Sequence, residues 1–173
     1  MNIFEIIGKT KEGVISYKND PNESYDKKKQ NYMMSVYTGM RWECVEFIRR
    51  YLLLTRNITF TEVKNAYEVY DGPIYFINLY TVLPIEVERY KNGEKMPEKG
   101  DLLIFHVDNE QHGHICIINN VDQSNEDIQI IEQNYDNQSW NGNPYSRILK
   151  LDRTTKKIKS PDPHEHVYGL IRM

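Results

Sequence analysis

Residues 41–54, RWECVEFIRRYLLL, carry apolar side chains at Val45, Ile48 and Leu52, joined by Phe47 and Tyr51, at spacings of three and four. That is the repeat of an amphipathic helix with one face turned to a core. Glu46, Arg49 and Arg50 fall mostly off the apolar stripe. Cys44 stands in the first turn, where unpaired backbone N–H groups and the positive end of the helix dipole favour thiolate, the reactive form, over thiol. A buried structural thiol is the commoner fate of free cysteine, so the helix alone leaves both readings open.

Residues 100–121, GDLLIFHVDNEQHGHICIINNV, read as two strands joined by a polar turn, with Gly100 starting the first and His114 opening the second. His114 is the candidate base. Residues 127–134, DIQIIEQN, read as a third strand, in which period-two alternation puts Ile130, Glu132 and Asn134 on one face and Ile131 and Gln133 on the other. A thiol on a helix N-terminus, a base on one strand and a polar orienter on its neighbour form the cysteine version of a catalytic triad, in the chain order Cys, His, Glu or Asn.

Elsewhere, Thr59 and Glu62 have the spacing of a capping box, and Val63, Ala66, Tyr67 and Tyr70 give a second helix its buried stripe before Asp71-Gly72-Pro73 stops it. Between Ile74 and Lys99, IYFINLYTVL reads as a strand or an irregular arm, and PIEVERYKNGEKMPEKG as a long loop over the site, with little regular structure after Pro84. YSRILKLD, TTKKIK and VYGLIRM are the remaining strand candidates. Helices first and an antiparallel sheet afterwards predict an α+β fold.

The chain of 173 residues fits a single domain, residues 1–173, that buries about 70% of the surface its unfolded chain would expose. A core of that size requires neither metal nor disulfide. Two cysteines make no disulfide framework, and the N-terminal MNIFEIIGKT, broken by Glu5, is too short for a secretory signal. With no stretch long enough to span a membrane, these features predict a cytoplasmic protein. A net charge of −3 argues against a nucleic-acid partner, and the Lys27–Lys29 run reads as a solvated loop. His112, His114 and Cys116 alternate, and His164 and His166 repeat the H-x-H spacing, which raises zinc as a rival. Without a C-x-x-C or H-E-x-x-H motif, Cys116 reads better as a small buried residue beneath the cysteine helix, and His164 and His166 as a polar turn beside Pro161 and Pro163.

Taken together, WECVEFIRRYLLL, FTEVKNAYEVYD, GDLLIFH, HGHICII, IIEQN and YSRIL resemble, in order, the blocks of the glutathionylspermidine amidase branch of the cysteine- and histidine-dependent amidohydrolase/peptidase (CHAP) family. The likeness runs from GKTKEGVISYKND to VYGLIRM. It implies a papain-like fold, Cys44 as nucleophile, His114 as general base and then acid, and Glu132 as the residue that orients the imidazole. Asn134 matches the asparagine of the family's EQN strand and would line the site, while Arg49 would hold a substrate carboxylate or brace the helix. The implied reaction is hydrolysis of the amide between the glycine carboxyl of glutathione and spermidine, a small-molecule substrate, without a cofactor. Glu86, Glu88, Glu94 and Glu98 are candidates to line the exit of the cationic product. Peptidoglycan cleavage and a non-catalytic binding role are the alternatives. One departure is Glu43, where the family commonly has glutamine, since a carboxylate cannot donate a hydrogen bond to an oxyanion. The other is length, which leaves no room for the synthetase half that usually accompanies this amidase.

Overall fold

The structure, a computed structural model, describes residues 4–20 and 29–173. Four short strands form two antiparallel hairpins, β1 (Ile6–Lys9) with β2 (Ile15–Tyr17) and β3 (Gln30–Met33) with β4 (Val36–Met40). Helix α1 (Cys44–Arg56) follows, then β5 (Ile58–Phe60), α2 (Ala66–Asp71), β6 (Phe76–Asn78) and β7 (Leu83–Ile85), with β5, β6 and β7 paired in a small sheet. The strands β8 (Glu88–Lys91), β9 (Leu102–Val107), β10 (His114–Asp122), β11 (Asp127–Ile131), β12 (Arg147–Asp152), β13 (Lys157–Lys159) and β14 (Glu165–Arg172) build the main antiparallel sheet. Their order is β13-β12-β11-β10-β9-β14-β8. The fold is α+β, with both helices ahead of every strand of the main sheet.

Alternation along the central strands divides the interior in two. Leu102, Ile104, Ile115, Ile117 and Ile131 pack with Phe47, Ile48 and Leu52 of α1 and with Val69 and Tyr70 of α2. Their neighbours Leu103, Phe105, Cys116, Ile118, Ile128 and Ile130 join Leu149, Leu151, Ile158 and Leu170 in a second core on the other side. The sheet curls, so that β13 approaches β14. Asn92, just beyond the edge strand β8, donates from Nδ2 to the Ile158 carbonyl (2.9 Å) and accepts from the Ile158 N–H (2.8 Å) on the opposite edge strand β13. The side chain thereby satisfies backbone groups that an edge strand would otherwise expose.

Several expectations are corrected by these packing facts. Glu46, Arg49 and Arg50 are buried, at 0%, 2% and 2% exposure, so α1 is enclosed well beyond its apolar stripe. Their charges are tolerated because each is saturated with partners. Cys116 belongs to the second core rather than lying beneath α1, since it alternates with Ile115 and Ile117, which face the helix. The polar stretch after Pro84 contains β8, an edge strand whose Arg89, Tyr90 and Lys91 pair with β14. One exposed side makes polar composition compatible with an edge. Thr59 lies within β5, and α2 is instead capped by Asn65, whose Oδ1 accepts from the Glu68 N–H (3.1 Å) while Glu68 Oε2 accepts from the Lys64 N–H (2.8 Å). His164 lies in the predicted turn, but His166 is already in β14. Lys27 and Lys28 lie outside the described residues. No helix among the described residues is long and apolar enough to cross a membrane.

Candidate active site

Cys44 is the first helical residue of α1, and Glu43 is its N-cap in extended conformation. The Glu43 side chain does not cap the helix; its Oε2 accepts from Asn134 Nδ2 at 2.7 Å. Gln133 Nε2 donates to the Glu43 carbonyl at 3.2 Å, tying the segment after β11 to the start of the helix. At the other end Asn57 adopts the left-handed conformation (φ 55°) and its N–H closes the helix onto the carbonyls of Leu52 and Leu53.

His114 opens β10 directly after Gly113, whose φ is +63°. A Cβ at Gly113 would stand 2.7 Å from both the Phe105 carbonyl oxygen and the Tyr67 ring, so only glycine delivers the chain to His114 along this path. The imidazole is buried between a thiol and a carboxylate. Its Nε2 lies 2.8 Å from Glu132 Oε2, and the Cys44 thiol hydrogen-bonds the ring, which leaves Nδ1 as the nitrogen facing sulfur.

Burial works against charge on both partners, and the pairing outweighs it. For His114, burial favours the neutral ring, but hydrogen bonds to Cys44 and Glu132 and their negative charges push its pKa up to about 10. For Glu132, burial favours the acid, but the His114 hydrogen bond and the charges of Arg147 and His114 bring it down to about 2. An imidazolium–carboxylate pair therefore persists through neutral pH.

Glu132 is also held from behind. Its Oε1 accepts from Ser146 Oγ (2.7 Å) and Arg147 Nε (2.8 Å), and its Oε2 accepts from Arg147 Nη2 (3.2 Å). Sequence reasoning missed Ser146 and Arg147, although a signal was present. Arg147 is in phase with Leu149 and Leu151, which face the second core, and an arginine on a buried row must find an anionic partner. Glu132 in turn continues the row of Ile128 and Ile130, and His114 that of Cys116 and Ile118.

Of the remaining predicted residues, Asn134 reaches the cleft in a left-handed conformation (φ 63°) rather than as a continuing strand. Arg49 takes the bracing position: its guanidinium donates to the carbonyls of Thr38 (2.8 Å), Phe60 (3.2 Å) and Thr61 (3.0 Å). Gln133, which the alternation placed away from the site, clamps it instead, accepting from the Tyr17 N–H and Arg50 Nη2 and donating to Glu46 Oε2. Cys44, His114, Glu43 and Asn134 meet in a cleft of about 1030 Å³. Glu86, Glu88, Glu94 and Glu98 are not on its wall; Glu110, Asp136 and Asp162 are. The candidate zinc residues are dispersed: His112 lines the cleft, Cys116 is in the core, and His164 and His166 flank Asp108 at 3.5 and 3.4 Å. Among the described residues no group of three His, Cys, Asp or Glu side chains is disposed to hold a metal ion.

The two thiols differ in surroundings. Cys116 is fully buried, and burial first, then the Glu132 charge, pushes its thiol well up, whereas Cys44 borders the cleft. Iodoacetamide at neutral pH is expected to alkylate Cys44 at least ~10-fold faster than Cys116, read by peptide mass spectrometry. Preferential modification of Cys116 would reverse the assignment of the reactive thiol.

Comparison with known proteins identifies the family. The CHAP domain family matches residues 35–134, more than half of the chain. A glutathionylspermidine synthase of Crithidia fasciculata is 31% identical over 143 residues, 79% of this chain and 19% of that protein. The bifunctional glutathionylspermidine synthetase/amidase of Escherichia coli is 33% identical over 122 residues, 66% of this chain and 19% of that protein. A trypanothione synthetase of Crithidia fasciculata is 27% identical over 136 residues, 76% of this chain and 20% of that protein. The chain thus spans about a fifth of the length of these relatives. The match begins ahead of the cysteine helix and runs through the histidine strand to Asn134, and on that basis the chain belongs to the CHAP domain family.

Proposed function

We propose that the protein is a cysteine amidase that hydrolyses the amide of a glutathione–polyamine conjugate such as glutathionylspermidine. The observation that carries the reading is the buried array of Cys44, His114 and Glu132 opening on one cleft. Substrate choice follows from two supports. The relatives include a synthetase/amidase for glutathionylspermidine, and the cleft wall carries Glu43, Glu46, Glu110, Asp136, Asp162 and Glu165 against Lys64 and Arg49, a balance suited to a polycationic amine.

In this mechanism Cys44 Sγ, as the thiolate, attacks the glycine carbonyl and the C=O π electrons pass to oxygen. The tetrahedral intermediate collapses with cleavage of the C–N bond, and the imidazolium of His114 gives its Nδ1 proton to the departing amine. Neutral His114 then takes a proton from water, the hydroxide adds to the thioester, and C–S cleavage returns the thiolate. Glu132 holds the ring by its Nε2 hydrogen bond throughout, so that Nδ1 stays directed at the reacting atoms.

The test is parallel incubation with glutathionylspermidine and with purified peptidoglycan, following released amine and released peptide. Release of glutathione and spermidine supports the reading. Activity only on cell-wall peptides would replace the substrate while keeping the chemistry, and inertness toward both would overturn it.

Glu43 supplies a second check. Its carboxylate stands on the cleft wall next to Cys44, where negative charge opposes an oxyanion. Glu43→Gln keeps an acceptor for Asn134 and adds an N–H donor, so kcat is expected to rise ~10-fold or more, within the ~10²-fold scale of one oxyanion donor. An unchanged kcat would assign the oxyanion to backbone N–H groups alone.

A further inference from the structure

Behind the candidate triad, the line of charges continues for two more residues. Arg147 binds both oxygens of Glu132 on one side and both oxygens of Glu165 on the other, with Nη1 to Oε2 at 2.7 Å and Nη2 to Oε1 at 2.8 Å. Glu165 is itself 2% exposed and accepts from Ser160 Oγ at 2.6 Å. The guanidinium carbon sits 3.6 Å from the centre of the Tyr135 ring, which also neighbours the His114 ring at 5.9 Å. From Cys44 outward the order is thiol, imidazole, carboxylate, guanidinium, carboxylate, drawn from α1, β10, the end of β11, β12 and β14.

We propose that Arg147 and Glu165 are positioning residues that set how tightly His114 holds its proton, acting through Glu132, an inference that rests on the triad reading above. A general acid must release its proton to the leaving amine, and it works best when its proton affinity matches the working pH. A buried imidazole facing an undiluted carboxylate would hold the proton too firmly. Arg147 draws on the same two carboxylate oxygens and weakens the hold, and Glu165 takes back part of the arginine's charge. The groups facing His114 are Cys44 from α1, Glu132 and Tyr135 from beyond β11, and the Phe105 ring from β9, and among the described residues Arg147 is the one cation besides the ring itself that binds Glu132. The fork geometry of arginine is required, because one planar group has to serve four carboxylate oxygens.

The experiment follows the His114 ring by ¹⁵N NMR across pH in the full chain, without substrate. Relative to wild type, Arg147→Gln should raise the pH at which the imidazolium is lost by about one pH unit, the scale of one neighbouring charge. Glu165→Gln, nearly isosteric, should lower it, and Arg147→Lys, which keeps the charge, should stay closer to wild type than Arg147→Gln. A merely structural role would reduce stability without opposite displacements. Glu132→Gln is the control: it should lower the midpoint most, and if it does not, the triad reading fails. If Glu132→Gln moves the midpoint while Arg147→Gln and Glu165→Gln do not move it in opposite directions, only this inference is overturned. Should Arg147→Gln fail to fold by circular dichroism, the sign of the Glu165→Gln displacement decides alone.

Discussion

Cys44→Ala is expected to lower kcat for glutathionylspermidine hydrolysis by on the order of 10³-fold or more while leaving the fold intact. The thioester route needs a sulfur at the head of α1, and Cys116, the other thiol, is sealed in the second core. His114→Ala should be comparably damaging, because in the proposed mechanism the same ring supplies the proton to the departing amine. The double variant should be scarcely worse than either single one, since groups that act as a unit are not additive. Release of spermidine measures the rate, and thermal unfolding separates chemical from structural loss. Retention of more than a few per cent of wild-type activity in Cys44→Ala would rule out the covalent route.

Glu46→Ala should have the largest effect on stability. The carboxylate is fully buried and accepts from Asn31 Nδ2 (2.9 Å), Thr38 Oγ1 (3.0 Å), Gln133 Nε2 (3.1 Å) and both Arg50 Nε (2.8 Å) and Nη2 (3.1 Å). Removing it takes the anionic partner from a buried guanidinium whose remaining acceptors, the Ile15 carbonyl and Gln133 Oε1, are neutral, and breaking such a pair costs about 3–5 kcal/mol. For a domain of this size that corresponds to a fall in Tm of roughly 6–20 °C. Glu46→Gln, which keeps acceptor capacity, should lose less. Circular dichroism melts provide the measurement, and a fall below ~2 °C in Glu46→Ala would show that Arg50 finds another acceptor.

This network also marks the limit of what periodicity reveals. The spacing of Val45, Ile48 and Leu52 locates α1 and places Cys44 at its head, apolar runs joined by a polar turn locate β9 and β10, and alternation locates β11. Both patterns arise from apolar burial, which local sequence records. Glu46 and Arg50 contradict the pattern because their burial depends on Asn31, Thr38 and Gln133, residues brought in by the β3–β4 hairpin and by the segment after β11. Hydrogen-bond satisfaction across such sequence distances has no local signature. Edge strand β8 was hidden for a related reason, since a strand paired on one side and solvated on the other need not alternate. Strand phase puts Glu132 and Asn134 together on one face and leaves the choice between them to the family resemblance, yet the phase of Arg147 with Leu149 and Leu151 carries equal information. A charged residue in an apolar row is as informative as the row itself.

The central claim, that Cys44 forms a covalent acyl intermediate with the glutathione portion of the substrate, is tested most directly by acid-quenching the enzyme during turnover of glutathionylspermidine and mapping adducts by peptide mass spectrometry. The account predicts a glutathionyl acyl group on the peptide containing Cys44 and on no other. Recovery of that group on a different side chain, or no adduct at any quench time while spermidine is being released, would contradict it.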